Sequence, residues 1–458
     1  MSSLSSINRK LHKAFNGSVS AQLKDEYLYL NGVLHNWDDI VWAGLISVNK
    51  KKYTVVNDIF FMGDDAKPVR LPTIASNKLL NERPDVLIIG GGIVGCAIAR
   101  ELSRFKLKIM LADKENDVAY HASGNNNGVI QPELGLHKGQ LKKKYIDAGN
   151  RMYSRICREL DVPFEYTGQF LCFTNKLLKP AAIASMLFWK CRGIPVEYKN
   201  RTALRKEEPN LSQGINFALK FPTVGIVSPY ELTKAYAKNA EENGVKICLN
   251  TAVVNIDVYN KRIINVLTNQ GRIFPKLVIN AAGVFADDIA HLAKDKTFSI
   301  HPKLGTNIIL DKKFTRSVNS ISFLNGYPQL NGGRIVRTID GKLIIDANEM
   351  ETHEKEDVSA ENKNLKSILG PYNKIISSFS EKDIISSFTG VCAAAYEDDF
   401  IISFGRYTEN IIHAAGIQSP GLTAAPAIAA DISKMAADYL GADINENFNP
   451  VRVNKSDY

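Results

Sequence analysis

No uninterrupted apolar run in the 458 residues is long enough to cross a bilayer; the apolar stretches are broken by charges or have the length of strands and core helices. No membrane span is therefore expected. The cysteines, Cys96, Cys157, Cys172, Cys191, Cys248 and Cys392, are scattered without CxxC or His-Cys spacing, which argues against both a disulfide framework and a structural zinc site. No metal is expected, and a reducing compartment is the expected home. No nucleic-acid motif is present, and the basic run Lys142, Lys143 and Lys144 has no interleaved aromatics, so it reads as a solvated helix face. The net charge of +9 suits anionic ligands or a membrane surface, but a Lys-, Asn- and Ile-rich composition accounts for the same number without any partner, and that plainer reading is preferred. With 45% hydrophobic and 23% charged residues the chain is too apolar for disorder, and its length suits two or three domains.

Acidic residues are also missing from the first 24 positions, where Leu4, Ile7, Leu11 and Phe15 recur at helical spacing beside Arg9, Lys10 and Lys13. Such a start suits an organelle transit peptide or the first helix of a small domain. The next forty residues favour the domain. YLYLNGVL alternates as a strand with an Asn-Gly turn signal, NWDDIVWAGLISVNKK opens with an Asn/Asp cap and continues as a helix, and YTVVNDIFF is a closing strand. This αββαβ order, with its G-V-L phrase and VVNDIFF, resembles a BON domain over about residues 5 to 63. That resemblance implies attachment to a membrane or a protein partner. Residues 64 to 84, with Pro68, Pro72 and Pro84, read as a linker.

The densest signal begins at residue 86. A buried parallel strand, Val86 to Ile89, enters Gly90-x-Gly92-x-x-Gly95, the helical stretch CAIARELSRF follows, and an acid arrives at Asp113. Gly90 permits a tight turn, Gly92 lets the backbone approach a pyrophosphate, and Gly95 lets helix and strand pack closely. The helix N-terminus offers N–H groups to the anion, and Asp113 would hold a ribose hydroxyl. A second glycine-rich helix entry, AGIQSPGLTAAP, occurs near the other end of the chain. One extended cofactor held at both ends suits FAD. NAD would explain the first fingerprint but leave HASGNNNGVI and AGIQSPGLTAAP without a task.

From Pro84 onward four ordered segments carry a resemblance: GGGIVG with LADKENDVA, HASGNNNGVI at 121 to 130, VINAAGVFADDIA at 278 to 290, and HAAGIQSPGLTAAPAIA at 413 to 429. The chain resembles FAD-dependent oxidoreductases of the glycine/D-amino-acid oxidase class, especially the glycerol-3-phosphate dehydrogenase and oxidase branch with its L-2-hydroxyglutarate oxidase relatives. The resemblance implies that Ser123, Gly124, Asn126 and Gly128 lie along the flavin and pyrophosphate. It places Val253, Ala282 and Gly283 toward the adenine side. Gly416, Gly421, Leu422 and Thr423 come to the flavin ring, where a helix N-terminus stabilises negative charge on the reduced ring.

The reaction so implied is hydride transfer from a carbinol carbon to flavin N5 while a base takes the hydroxyl proton. It needs a base and a cation, preferably an arginine, for a phosphate or carboxylate. Here the sequence departs from its relatives. Their His after GVI is Gln131, an amide that cannot act as a base. Their Arg before the DDFII strand is Cys392, and their RGEY-like phrase has become KLGTN, leaving Lys303 as a cation while Thr306 and Asn307 replace an acid and an aromatic. Candidate replacements are His121, His137 and His413 for the base, and Lys303, Arg334, Arg337 and Arg406 for the cation, with Arg337 preferred.

The expected architecture is α/β: a Rossmann-type FAD-binding domain (85–160, 225–297 and 395–445), a β-rich substrate domain (161–224 and 298–394), and a small N-terminal αββαβ module (1–63). The expected function is FAD-dependent oxidation of a small hydroxylated anionic substrate. The alternatives are a catalytically altered or inactive FAD-binding scaffold attached through the N-terminal module, and an amine or amino-acid oxidase. The catalytic candidates are His121, Gln131, Lys303, Arg337 and Cys392. Oxygen, a quinone or a carrier protein would reoxidise the flavin, and a cytoplasmic location is expected, with peripheral membrane association and organelle targeting left open.

Overall fold

The computed structural model describes residues 4–50, 52–63, 69–132, 140–311, 314, 318–324, 334–356, 372, 375–376 and 380–453. His137 and Pro68 lie outside them.

The N-terminal module runs helix Leu4–Phe15, strands Val19–Lys24 and Tyr27–Leu34, helix Trp37–Ser47 and strand Thr54–Phe61. The first two strands pair antiparallel. The second and third pair parallel, with the second helix as the crossover. The acid-free first helix buries Ile7, Leu11 and Phe15 in the module core. Asn36 caps the second helix, its side chain accepting the Asp38 N–H. One expectation fails here. Asn31-Gly32 is not a turn: the strand runs through it, Gly32 pairs with Val19, and a Cβ on Gly32 would lie 2.2 Å from the Ser18 carbonyl oxygen. Glycine serves close backbone approach at that position. The reversal lies instead at Asp25 and Glu26, with Asp25 at φ 52°.

The module docks on the rest of the chain by burying Tyr396 in its own core. Asn57 donates to the Tyr396 hydroxyl (2.8 Å), and the Val55 N–H donates to Glu397 Oε1 (2.7 Å).

Behind the module stands a six-stranded sheet in the order Lys246–Cys248, Ile109–Ala112, Val86–Ile89, Leu277–Asn280, Ile411–Ala415, Ile401–Phe404. All pairs are parallel except the last. The apolar runs VLII, IMLA and LVIN are fully buried, as strands covered on both faces must be. Helices Ile93–Leu102, Gln140–Leu160, Pro229–Glu242 and Gly421–Leu440 pack with it into one core. An eight-stranded sheet forms the second large layer; its longest strands are Ile300–Leu310, Leu343–Glu351 and Ile384–Ala395.

Lys142 departs from the solvated face expected of it. Its side chain is buried, its Nζ sits 2.5 Å from Asp398 Oδ1, and the backbone N–H groups of Leu141 and Lys142 donate to Asp399. Burial pushes its pKa down against the pull of Asp398. Lys144, paired with Asp431, is exposed as read.

Candidate active site

At the first glycine turn each residue is held by its immediate surroundings. Gly90 adopts φ 114°, and a Cβ there would meet the Ala281 carbonyl oxygen at 2.3 Å. A Cβ on Gly95 would lie 1.9 Å from the Gly90 oxygen, so helix and strand pack on bare backbone. Gly92 is different: a Cβ would meet only Ser123 Oγ, at 3.1 Å, and the residue faces an open slot. Gly92 caps helix Ile93–Leu102 without a side-chain bond, while Ser123 Oγ accepts the Ile93 N–H at 2.9 Å. Asp113 is half-buried and accepts the N–H groups of Gly91 (2.5 Å) and Glu115 (2.8 Å). Burial pushes its pKa up, and those two donors oppose the rise.

Two cavities lie along this turn, and a third shares lining residues with one of them. The first is mostly apolar, lined by Asp113, Val253, Ala282, Phe285, Val69 and Leu71 among others. It suits an adenosine. Val69 and Leu71 come from the segment read as a bare linker and were missed as site residues; the alternation of Val69, Arg70 and Leu71 was their only signal. Arg70 fastens the segment by donating to Glu115 (2.5 Å), while its backbone N–H donates to Glu356 (2.7 Å). Lys114 joins both carboxylates, and His121 Nε2 lies 2.8 Å from Glu115 Oε1. Burial pushes the Glu115 carboxyl up, but hydrogen bonds from Lys114, Arg70 and His121 outweigh it and hold the group at about 2. Glu115, His121 and Glu356 are close enough together to hold a metal ion. Arg70 and Lys114 already neutralise these acids, so a cation is not called for.

The second cavity is a slot between Gly92, Ser123 and Asn126 on one side and Gly283, Cys392, Gly421 and Leu422 on the other. Helix Gly421–Leu440 starts at its edge with no side-chain cap, leaving first-turn N–H groups for an acceptor. The uncapped helix and the unfilled Cβ position of Gly92 fit a pyrophosphate and a reducible ring system. Gly124, Gly128, Gly416 and Thr423, assigned to the cofactor by resemblance, do not line the slot. Gly124 and Gly128 pack against the Ala119 and Val227 carbonyl oxygens. Gly416 turns at φ 62°, and Thr423 Oγ1 accepts the Gln131 N–H at 3.2 Å. They shape the loops that carry the lining residues.

The third cavity opens from the slot and is polar. Asn125, Asn127, Gln131, Thr306, Asn307 and Ser419 line it, with Arg334, Asp346, Glu349 and Cys392. Burial pushes the Cys392 thiol to about 12, so it is neutral. Asp346 Oδ1 accepts from Asn127 Nδ2 at 2.7 Å, and burial pushes its carboxyl up while Arg334 pulls it down.

Several sequence candidates lie elsewhere. His121 lines the adenosine cavity, tied to Glu115. His413 is buried between Asn280 (3.1 Å) and Asp295 (2.9 Å), a structural histidine. Arg337 turns to Glu165 at 2.5 Å. Arg334, three residues earlier, is the arginine in the cavity. Lys303 pairs with Cys392 across strands, yet its ammonium sits 3.6 Å from Glu351 rather than among the lining groups. Arg406 is at the surface, 3.6 Å from Glu26. Asp346 and Glu349 were missed; the acid closing the apolar run LIID was the available signal.

The FAD dependent oxidoreductase family profile matches residues 85–435. Glycerol 3-phosphate dehydrogenase of Caloramator mitchellensis is 34% identical, covering 80% of this chain and 77% of its own. Glycerol 3-phosphate oxidase of Mycoplasma pneumoniae is 30% identical over 76% of this chain and 93% of that one. The solved structure of dithionite-reduced L-alpha-glycerophosphate oxidase from Mycoplasma pneumoniae with FAD bound superposes with a TM-score of 0.73 at 26% identity, covering 81% of this chain and 98% of that one. Glycine turn, two-ended slot and relatives agree: the chain belongs to the FAD dependent oxidoreductase family.

Proposed function

We propose that the protein oxidises a small hydroxylated anion of the glycerol-3-phosphate type in the polar cavity beside the flavin slot. The observation that carries this reading is the junction of that cavity with the slot at Asn126, Cys392 and Leu422, which line both. When bound, FAD supplies the two-electron acceptor. Arg334 is the cation that the described lining offers to a phosphate or carboxylate. Gln131, Asn127, Thr306 and Asn307 present amides and a hydroxyl that orient substrate oxygens. Asp346 takes the carbinol proton, because burial makes its carboxylate more basic than an exposed one.

A second reading has its own support. Among the described lining residues two carboxylates, Asp346 and Glu349, face one guanidinium, Arg334. That balance suits a zwitterion, and so an amino acid or amine, better than it suits a dianion. Anaerobic titration separates the two. Glycerol 3-phosphate or L-2-hydroxyglutarate should bleach the flavin band and yield a ketone. Bleaching only by amino acids would replace the first reading with the second. Bleaching by dithionite alone would leave a flavin-bound scaffold.

A further inference from the structure

Helix Lys179–Cys191, preceded by the turn Lys176–Leu178, buries only Ala182 and Trp189. Trp189 packs edge-on against Phe221 with ring centroids 5.0 Å apart, which fastens the inner face to the eight-stranded sheet. The outer face is apolar as well. Leu177 is 85% exposed, Phe188 57% and Leu187 54%. Pro180, Ala181, Ala184 and Cys191 are exposed on the same side. Positions 177, 180, 184, 187, 188 and 191 recur at helical spacing, and no polar residue interrupts them. A surface helix that is apolar on both faces has, among the described residues, one side without a partner.

The charges around it indicate what covers that side. Lys176, Lys179, Lys190 and Arg192 bracket the stripe, and no Asp or Glu occurs between Glu165 and Glu197. Arg192 stacks over Phe188 with its guanidinium carbon 5.5 Å from the ring centroid, which sets a cation beside the exposed aromatic of the stripe. A second copy of this chain would oppose cations with cations and bring no acid from this segment. An anionic lipid surface meets both requirements, taking the apolar stripe into its acyl boundary and the cations among its headgroups. At 13 residues the helix is about 20 Å long, too short to span a bilayer and suited to lying in its interface. We propose that helix Lys179–Cys191, with Leu177, is a lipid contact that seats the enzyme on an anionic membrane. This places the contact on the substrate-domain surface and not on the N-terminal module.

The test uses the full-length flavoprotein and vesicles of phosphatidylcholine with or without phosphatidylglycerol. Co-sedimentation should require phosphatidylglycerol and weaken at high salt. Leu187→Glu with Phe188→Glu should lower the partition at least about tenfold. Lys176→Gln and Lys190→Gln should each lower it about fivefold. All variants should keep the wild-type melting temperature and flavin spectrum, because the altered side chains are exposed. Failure of the wild type to sediment, equal binding to both vesicle types, or undiminished binding by the Glu variants would overturn the proposal. So would a wild-type dimer on gel filtration that the Glu variants split, which would assign the face to a second copy.

Discussion

Gly92 and Gly95 sit three positions apart in one motif, and the structure separates their tasks. At Gly95 a side chain would strike the Gly90 oxygen, so Gly95→Val should unfold the domain or cost more than about 3 kcal/mol, read by thermal melting. At Gly92 the backbone tolerates a side chain and the slot does not. Gly92→Val should keep a folded, colourless protein, checked by circular dichroism beside the visible spectrum. Asp346 gives a pH signature. Its carboxyl is held above the ordinary 3.8 by burial, and the proposed base works deprotonated, so kcat/KM should fall as pH drops through that raised value. Asp346→Asn should remove this acid limb and lower kcat about a hundredfold; an unchanged profile would take the proton-acceptor role from Asp346. The glycines were legible in the sequence because backbone geometry dictates them. Arg334 was among the candidate cations but ranked below Arg337, and Asp346 was not singled out, because the register of a strand decides which side chains meet the cavity and spacing along the chain does not contain it.

Among the elements, segment 69–72 carries the most direct consequence for the cofactor. Val69 and Leu71 wall the adenosine cavity, and the Arg70–Glu115 bond fastens them there. Arg70→Ala should raise the FAD dissociation constant about fivefold, and Leu71→Asp about tenfold, measured by the fluorescence of released flavin. The pH dependence comes from Glu115. Its folded value of about 2 lies below the ordinary 4.5, so the clasp contributes fully above 4.5 and is lost as pH falls toward 2. Acid release of FAD should begin within that window for the wild type and at higher pH for Arg70→Ala. Element-level reading succeeded where one physical requirement dominates, as in the buried run VLII. It failed where tertiary contact reassigns a residue. Gly32 reads as a turn and serves close strand approach, and Lys142 reads as solvated and is buried against Asp398.

At the scale of the whole molecule, glycine turns at opposite ends of the family region converge on one slot, with helices Ile93–Leu102 and Gly421–Leu440 starting at its edges. The apolar cavity reaches Gly90 and the slot reaches Gly92 of the same turn, while the polar cavity shares Asn126, Cys392 and Leu422 with the slot, an order that suits adenosine, pyrophosphate, ring and substrate. The two-ended pattern was visible in the sequence as a pair of glycine-rich helix entries; the part of segment 69–72 in it was not, because an alternation of three residues between prolines is too short to announce a wall. The most direct test of the account is the identity and stoichiometry of flavin released on denaturing the purified protein. The account predicts FAD, one per chain, either as isolated or after incubation with FAD. Release of no flavin after such incubation, or uptake of FMN as readily as FAD, would contradict it.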